Sequence, residues 1–221
     1  MILRVFFILL VVLGRSHVCA GEIVASSAAS DDDCTIYNGA FSLTDYHSYF
    51  GSWNDVEQAC GLRFCNITIP QEASIDSAWI VARAEYDTYD VSVRIYGNDT
   101  DSAASFSDSL DFDNRVRTTA CVDWNLTGDF GSGFLRTDTL TGGADLAPVI
   151  QEIVNRPGWK SGNAIVLLFH NNGTTGDSRK RFRSYDRGVT YSDTLHVIYS
   201  QGTVPEQSLL RRRRIMEEQS W

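Results

Sequence analysis

An all-β fold, a jelly-roll-like antiparallel sandwich with one short helix near residues 145–156, is what this chain of 221 residues predicts. Three observations carry that expectation. Apolar and polar residues alternate in short runs, the period of a strand with one face turned to a core. Gly, Asn and Asp punctuate those runs, and one Asn-Gly pair has the form of a tight hairpin turn. A single segment switches to helical period, and many strands crossed by one helix suit a sandwich closed at one end.

The elements follow in order. Thr35-Ile36-Tyr37 and Phe41-Ser42-Leu43 flank Asn38-Gly39 and read as a hairpin. Leu62 and Phe64, then Ile67 and Ile69, form a strand whose phase slips near Cys65, so a bulge is expected there before Pro70 ends the run. Ala78, Ile80, Ala82 and Ala84 mark one strand face, Val91, Val93 and Ile95 another, and Ala120, Val122 and Trp124 a third. Ile165 to Phe169 is continuously apolar, as a buried central strand would be. Leu195, Val197 and Tyr199 close the series. Leu146, Val149, Ile150, Ile153 and Val154 recur at helical spacing, with Asp145 as the expected N-cap, Pro148 in the first turn and Arg156-Pro157-Gly158 as the stop.

The ends set the compartment. Arg4, the apolar run Val5 to Leu13 and the small-residue end Val18-Cys19-Ala20 have the layout of a signal peptide over residues 1–20. That run is shorter than the roughly 20 residues needed to span a bilayer, and no later stretch qualifies, so the mature chain is expected to carry no transmembrane segment. Residues 21–33 are small and polar and read as a flexible lead-in, 34–200 as the sandwich, and 201–221 as a disordered basic tail. Arg211-Arg212-Arg213-Arg214 in that tail is a candidate processing site, with a solvated basic tail as the other reading.

Removing Cys19 leaves Cys34, Cys60, Cys65 and Cys121. An even count behind a secretion signal implies two disulfides with three pairings open. The favoured one joins Cys34 to Cys60 and Cys65 to Cys121. Their spacing is unlike a structural zinc site. Asn66, Asn98, Asn125 and Asn172 each head an Asn-X-Thr sequon and are candidate glycan acceptors at the surface. The expected localisation is therefore secreted, extracellular or cell-surface.

Charge narrows the partners. Setting aside Arg4, Arg15, Arg211 to Arg214, Glu217 and Glu218 leaves 26 acidic against 13 basic residues, of 28 and 19 in all. Such a body repels nucleic acid and anionic membranes. Against it stands Arg179-Lys180-Arg181-Phe182-Arg183. Arg179, Arg181 and Arg183 share one strand face, a row able to grip sulfate or carboxylate groups; a charged edge that resists aggregation is the competing reading. Trp53, Tyr86, Tyr89, Tyr96 and Trp159 are the aromatic handles for a sugar, with Trp159 read as structural.

Reaction chemistry is poorly represented. Ser192, Asp193 and His196 are close in sequence, but a triad is a matter of geometry, and His196 is out of phase with Leu195 and Val197. Acids such as Asp111, Asp113 and Asp123 read as a solvated face rather than a glycosidase pair. The chain carries no Gly-X-Ser-X-Gly, His-Glu-X-X-His or phosphate-binding glycine loop. No catalytic residue and no organic cofactor are expected. Calcium is the one cofactor in view: Asp31-Asp32-Asp33 and the Asp99/Asp101 loop offer oxygen ligands, though neither has the spacing of a recognised loop.

Three stretches carry a resemblance: Gly61-Leu62-Arg63-Phe64 running into Asn66-Ile67-Thr68-Ile69-Pro70, Ala73 to Ala78, and Val149 to Ala164 with its VIQEIVNRPGWKSGNA. Together with Ser184-Tyr185-Asp186 and the Leu195–Tyr199 strand, they resemble a module of secreted surface proteins related to disaggregatase-type and carbohydrate-binding sandwich domains. The resemblance covers roughly residues 60 to 199. It implies a non-catalytic extracellular sandwich, without a defined ligand site. The cysteines, Phe130 in place of a second Trp and Thr194 in place of a proline depart from the module's pattern. The expected function is adhesion or glycan binding, with an extracellular glycan or surface protein as partner. The alternatives are a structural glycoprotein subunit of an extracellular or virion surface assembly and, last, a polysaccharide-active hydrolase.

Overall fold

The computed structural model describes residues 16–205 apart from 86, 88, 130 and 139–142, with side chains described from 20 to 201. Twelve strands are described: β1 (Ser16–Ser26), β2 (Asp33–Tyr37), β3 (Ala40–Ser42), β4 (His47–Trp53), β5 (Val56–Ile67), β6 (Ser74–Arg83), β7 (Val91–Asn98), β8 (Arg117–Leu126), β9 (Phe134–Arg136), β10 (Asn163–Asn171), β11 (Arg179–Arg183) and β12 (Thr194–Pro205). Two short helices, α1 (Ser109–Asn114) and α2 (Ala147–Val154), interrupt them. The body, Ala20–Gln201, is one unit; the chain ends, Met1–Cys19 with Gly202–Trp221, make another, of which only the outer residues of β1 and β12 are described.

The strands form two sheets, so the protein is an all-β sandwich. The smaller runs β1-β12-β6-β9 and the larger β11-β4-β5-β10-β7-β8, with β2 and β3 attached through β5. Spatial neighbours such as β5, β10 and β7 are distant in sequence, the crossing pattern of a jelly-roll-like sandwich. Each pairing from β2 onward is antiparallel.

Side-chain alternation explains where the core sits. The inward residues of both sheets, among them Phe50, Leu62, Phe64, Ile80, Val93, Ile95, Trp124, Leu167 and Leu195, form one apolar cluster. The continuous apolar run of β10 serves two faces. Ile165, Leu167 and Phe169 enter that cluster, while Val166 and Leu168 join a smaller one with Cys34, Ala59, Phe106 and Phe112 on the outer face of the large sheet. Fully burying a side chain of this size contributes about 1.5–3 kcal/mol, which makes the central strand the main anchor.

Local expectations are met in detail. Tyr37 pairs with Ala40 across Asn38 and Gly39, both at positive φ (52° and 78°), as a two-residue hairpin turn needs. The β5 bulge falls at Cys65 and Asn66: Phe64 faces Ile165 and Ile67 faces Asn163, with Asn66 at φ 56°. The helix is α2, and one detail differs. Leu146 occupies the cap position, although Asp145 still accepts from the Ala147 amide at 3.0 Å. The second Asp145 bond, from Ala78 N at 3.0 Å, ties the loop to β6.

The helix motif is a stitch between the sheets. Gln151 pairs with backbone like a strand residue, donating to Ala73 O at 2.9 Å and accepting from Ile75 N at 2.8 Å. Glu152 accepts the amides of Thr119 and Ala120 on the edge strand β8 at 2.8 and 2.7 Å. Gly97 lets the helix approach β7, since a Cβ there would lie 2.7 Å from Ile153 Cδ1. Trp159 is buried and donates from its indole to Ile69 O at 3.0 Å, as a structural residue would.

Two expectations are corrected. The 21–33 segment is not a free lead-in: it supplies most of β1's described length, with Ile23 and Ala25 in the core, and the start of β2. The disulfide pairing fails on topology. Cys34 faces Gly61 and Thr35 faces Cys60, so alternation sends Cys34 and Cys60 to opposite faces of the sheet, into different clusters. Cys65 on β5 and Cys121 on β8 are separated by β10 and β7, about 14 Å at ordinary strand spacing. All four are free thiols. Among the described residues no helix is long and apolar enough to cross a membrane.

Candidate ligand-binding face

The basic run forms β11, antiparallel to β4. Its even member Phe182 enters the core, and Lys180 is buried with its ammonium on the carbonyls of Asp87 (3.2 Å) and Gly128 (2.7 Å). Burial holds the Lys180 pKa below the ordinary lysine value. The odd members Arg179, Arg181 and Arg183 share the outward face, opposite Gly51, Tyr49 and His47 of β4.

Those three arginines are not equivalent. Arg183 lies against Glu85, with Nε at 2.6 Å from Oε2, and rests on the Tyr191 ring. Arg181 is ion-paired with Asp87 at 3.2 Å. Arg179 has an aromatic setting instead: its guanidinium is 3.8 Å from the Trp53 ring centroid, 4.9 Å from Tyr37 and 5.4 Å from Tyr49, and it donates to the Tyr37 hydroxyl at 2.7 Å. No carboxylate pairs with it among the described residues. The expected row therefore exists, but neighbours from the connection after β6 already neutralise two of its three charges.

Arginine and aromatic side chains thus alternate as a strip along the outer face: Trp53, Arg179, Tyr49, Arg181, His47 and Arg183. Gly51, opposite Arg179, lies at positive φ (110°), and a Cβ there would lie 2.5 Å from Ser178 O. Hydrogen bonding to Arg183 holds Glu85 below the usual carboxylate range. Burial, and then Arg181, lower the His47 pKa, leaving its ring neutral at pH 7. Such a surface offers planar apolar faces, hydroxyls and one cation without an acid partner, the groups that meet a sugar ring bearing a carboxylate or sulfate.

Tyr37, Tyr49, His47, Glu85 and Asp87 were not singled out from the sequence. The period-two run His47, Tyr49, Gly51, Trp53 was a signal for the first part of the strip. Nothing local marks Glu85 and Asp87, which arrive from another strand pair.

The remaining candidates are scattered. Asn66 and Asn125 are exposed and Asn172 is half-buried, whereas Asn98 is buried, donates to Val116 O at 2.9 Å and accepts from Arg115. The Asn98 amide is thus a structural group and not a surface acceptor. Asp32 is taken by Arg63 at 2.5 Å and by the Ala28 amide, Asp33 by the Tyr185 amide, and both Asp99 and Asp101 by Arg156. Among the described residues no three His, Cys, Asp or Glu side chains are placed to hold a metal ion. Asp111 binds Arg115 and Asp123 binds Arg94. Ser192, Asp193 and His196 do not assemble: Asp193 is fully buried, and His196 stacks on Trp79 at 5.2 Å and contacts Thr194. Tyr89 is exposed and Tyr96 half-buried under Arg117, both away from the strip. Tyr86, Phe130 and Arg211 to Arg214 lie outside the described residues, as does nearly all of the expected signal peptide.

The fold and this face define a β-sandwich domain with an arginine–aromatic strip on the outside of its larger sheet. No family model and no curated protein matches the chain.

Proposed function

We propose that the protein is an extracellular, non-catalytic binding domain whose arginine–aromatic strip recognises an acidic glycan. The observation that carries this reading is Arg179, a cation stacked at 3.8 Å on Trp53 and held by the Tyr37 hydroxyl while its two neighbours are tied to acids. One sugar carboxylate or sulfate would pair with the outer edge of the Arg179 guanidinium, and the ring would lie along Trp53 and Tyr37. The rest of the body is acidic and repels a polyanion, so the strip around Arg179 is where its charge is met. The resemblance to carbohydrate-binding surface modules points to the same class.

Calorimetric titration with a heparin-derived hexasaccharide and with a tetragalacturonate tests the reading. At least one of them binds, and binding weakens as salt is raised. Arg179→Ala and Trp53→Ala each weaken it by about tenfold or more, the equivalent of about 1.4 kcal/mol. Arg183→Ala, whose charge is already neutralised by Glu85, has a smaller effect. Binding that survives both Arg179→Ala and Trp53→Ala, or no binding of either oligosaccharide, rejects the proposal.

A further inference from the structure

A second recessed site lies away from the strip. A cavity of about 360 Å³ opens between the β2–β3 hairpin, β5, α1 and β10. Its apolar wall is Ile36, Val56, Ala59 and Phe112; its polar groups are Glu57, Asp113, Arg117 and His170. Glu57 is the fixed point. Its Oε1 lies 3.1 Å from His170 Nδ1 and accepts the Asn171 amide at 3.0 Å, while Oε2 has no described partner and the side chain is half exposed. The hydrogen bond from His170 is the main reason the Glu57 pKa falls below the ordinary glutamate value.

The imidazole that positions Glu57 is itself set in place. His170 is only 8% exposed and packs against Phe112 at 5.2 Å and Tyr96 at 6.1 Å. Its Nε2 is buried with no partner among the described residues. Arg117 lies over the Tyr96 ring at 5.4 Å, which restrains the one cation of the cavity. Glu57 is therefore held before any ligand arrives, which lowers the cost of binding, while Asp113 and Arg117 stand exposed at the rim.

We propose that this cavity binds a single neutral pyranose unit. Its volume sits at the small end of the roughly 300–1,000 Å³ typical of ligand pockets, suited to one ring. Two carboxylates accept hydroxyl hydrogens, Arg117 donates to a hydroxyl or ring oxygen, and a sugar's C–H face meets Ile36, Val56 and Ala59. Groups of both signs side by side favour a ligand that both donates and accepts over a simple ion, which one of them would repel.

The test follows the His170 Cε1–Hε1 NMR signal of the intact protein while methyl α-glucopyranoside, α-galactopyranoside and α-mannopyranoside are each titrated through the millimolar range. At least one sugar moves the signal saturably; Glu57→Gln and Asp113→Asn each weaken that response by about tenfold, and Trp53→Ala leaves it intact. Silence with all three sugars overturns the proposal. So does a response unchanged in both Glu57→Gln and Asp113→Asn, or one obtained with methylammonium and not with sugars. Because acidic-glycan binding is read at Arg179, either site can fail without the other.

Discussion

Single residues decide how the sandwich answers to pH. Asp33 and Asp193 are almost completely buried, and both carboxylate oxygens of Asp193 have no partner among the described residues. Burial pushes the Asp33 carboxyl up to about 7, with Asp186 and Asp32 adding to the rise, and pushes the Asp193 carboxyl well above the usual range, with Asp33 adding to it. The native state therefore holds protons that the unfolded chain releases near pH 4. Stability from these two groups is full below that pH and is lost as pH rises through about 7 for Asp33 and through the raised pKa of Asp193. Asp193→Asn removes its share of the dependence: the variant matches the parent near pH 4 and is the more stable protein near pH 8, in urea melts at both values. Identical pH profiles for variant and parent would refute the assignment. The cysteines teach a related lesson. Burial raises the Cys34 and Cys60 thiols far above their ordinary pKa, so they sit as small apolar side chains in two separate clusters.

At the scale of elements, α2 ties the sheets together more through Gln151 and Glu152 than through its length of 8 residues. Glu152→Ala leaves the Thr119 and Ala120 amides on an edge strand without their carboxylate and costs about 1.5–3 kcal/mol, read as a lower urea midpoint with unchanged slope. No change in midpoint would mean that water replaces the carboxylate without loss. The elements legible in the sequence were the β2–β3 hairpin, β5 with its bulge, β6, β7, β8, β11, β12 and α2, whose residues are periodic or flank a marked turn, and β10, whose apolar run is continuous. Missed were β1, whose apolar residues alternate within a stretch of small side chains, β4, whose run mixes Ser and Gly with aromatics, and the short β9 and α1, which bury little beyond Leu135 and Phe112. Beyond the β2–β3 hairpin, pairing was not legible, because alternation reports which face a residue takes but not which strand lies beside it. The same gap produced the mistaken disulfides, and it hid Glu85 and Asp87, whose acids arrive across strands to neutralise Arg183 and Arg181. The face shared by Arg179, Arg181 and Arg183 was legible from period two; the difference between them was not.

For the whole molecule, two packed sheets and a second small cluster on the outer face hold the fold without covalent help. Dithiothreitol should accordingly leave Tm unchanged, and thiol titration in denaturant should find Cys34, Cys60, Cys65 and Cys121 all reactive. A fall in Tm on reduction would show that a bridge forms. The acidic body, a nearly neutral arginine–aromatic strip and a separate cavity divide the surface into parts with different electrostatics. Local capture of an anion then falls to Arg179 in the strip, against the long-range repulsion of the acidic body.

Arginine side-chain NMR tests the central claim most directly, since each Nε–Hε group reports on its own surroundings. On titration with the acidic oligosaccharide that binds most tightly, the Arg179 signal moves and saturates, while those of Arg181 and Arg183 stay close to their positions beside Asp87 and Glu85. Uniform shifts at all three, or a still Arg179 signal while the glycan binds, would contradict the account.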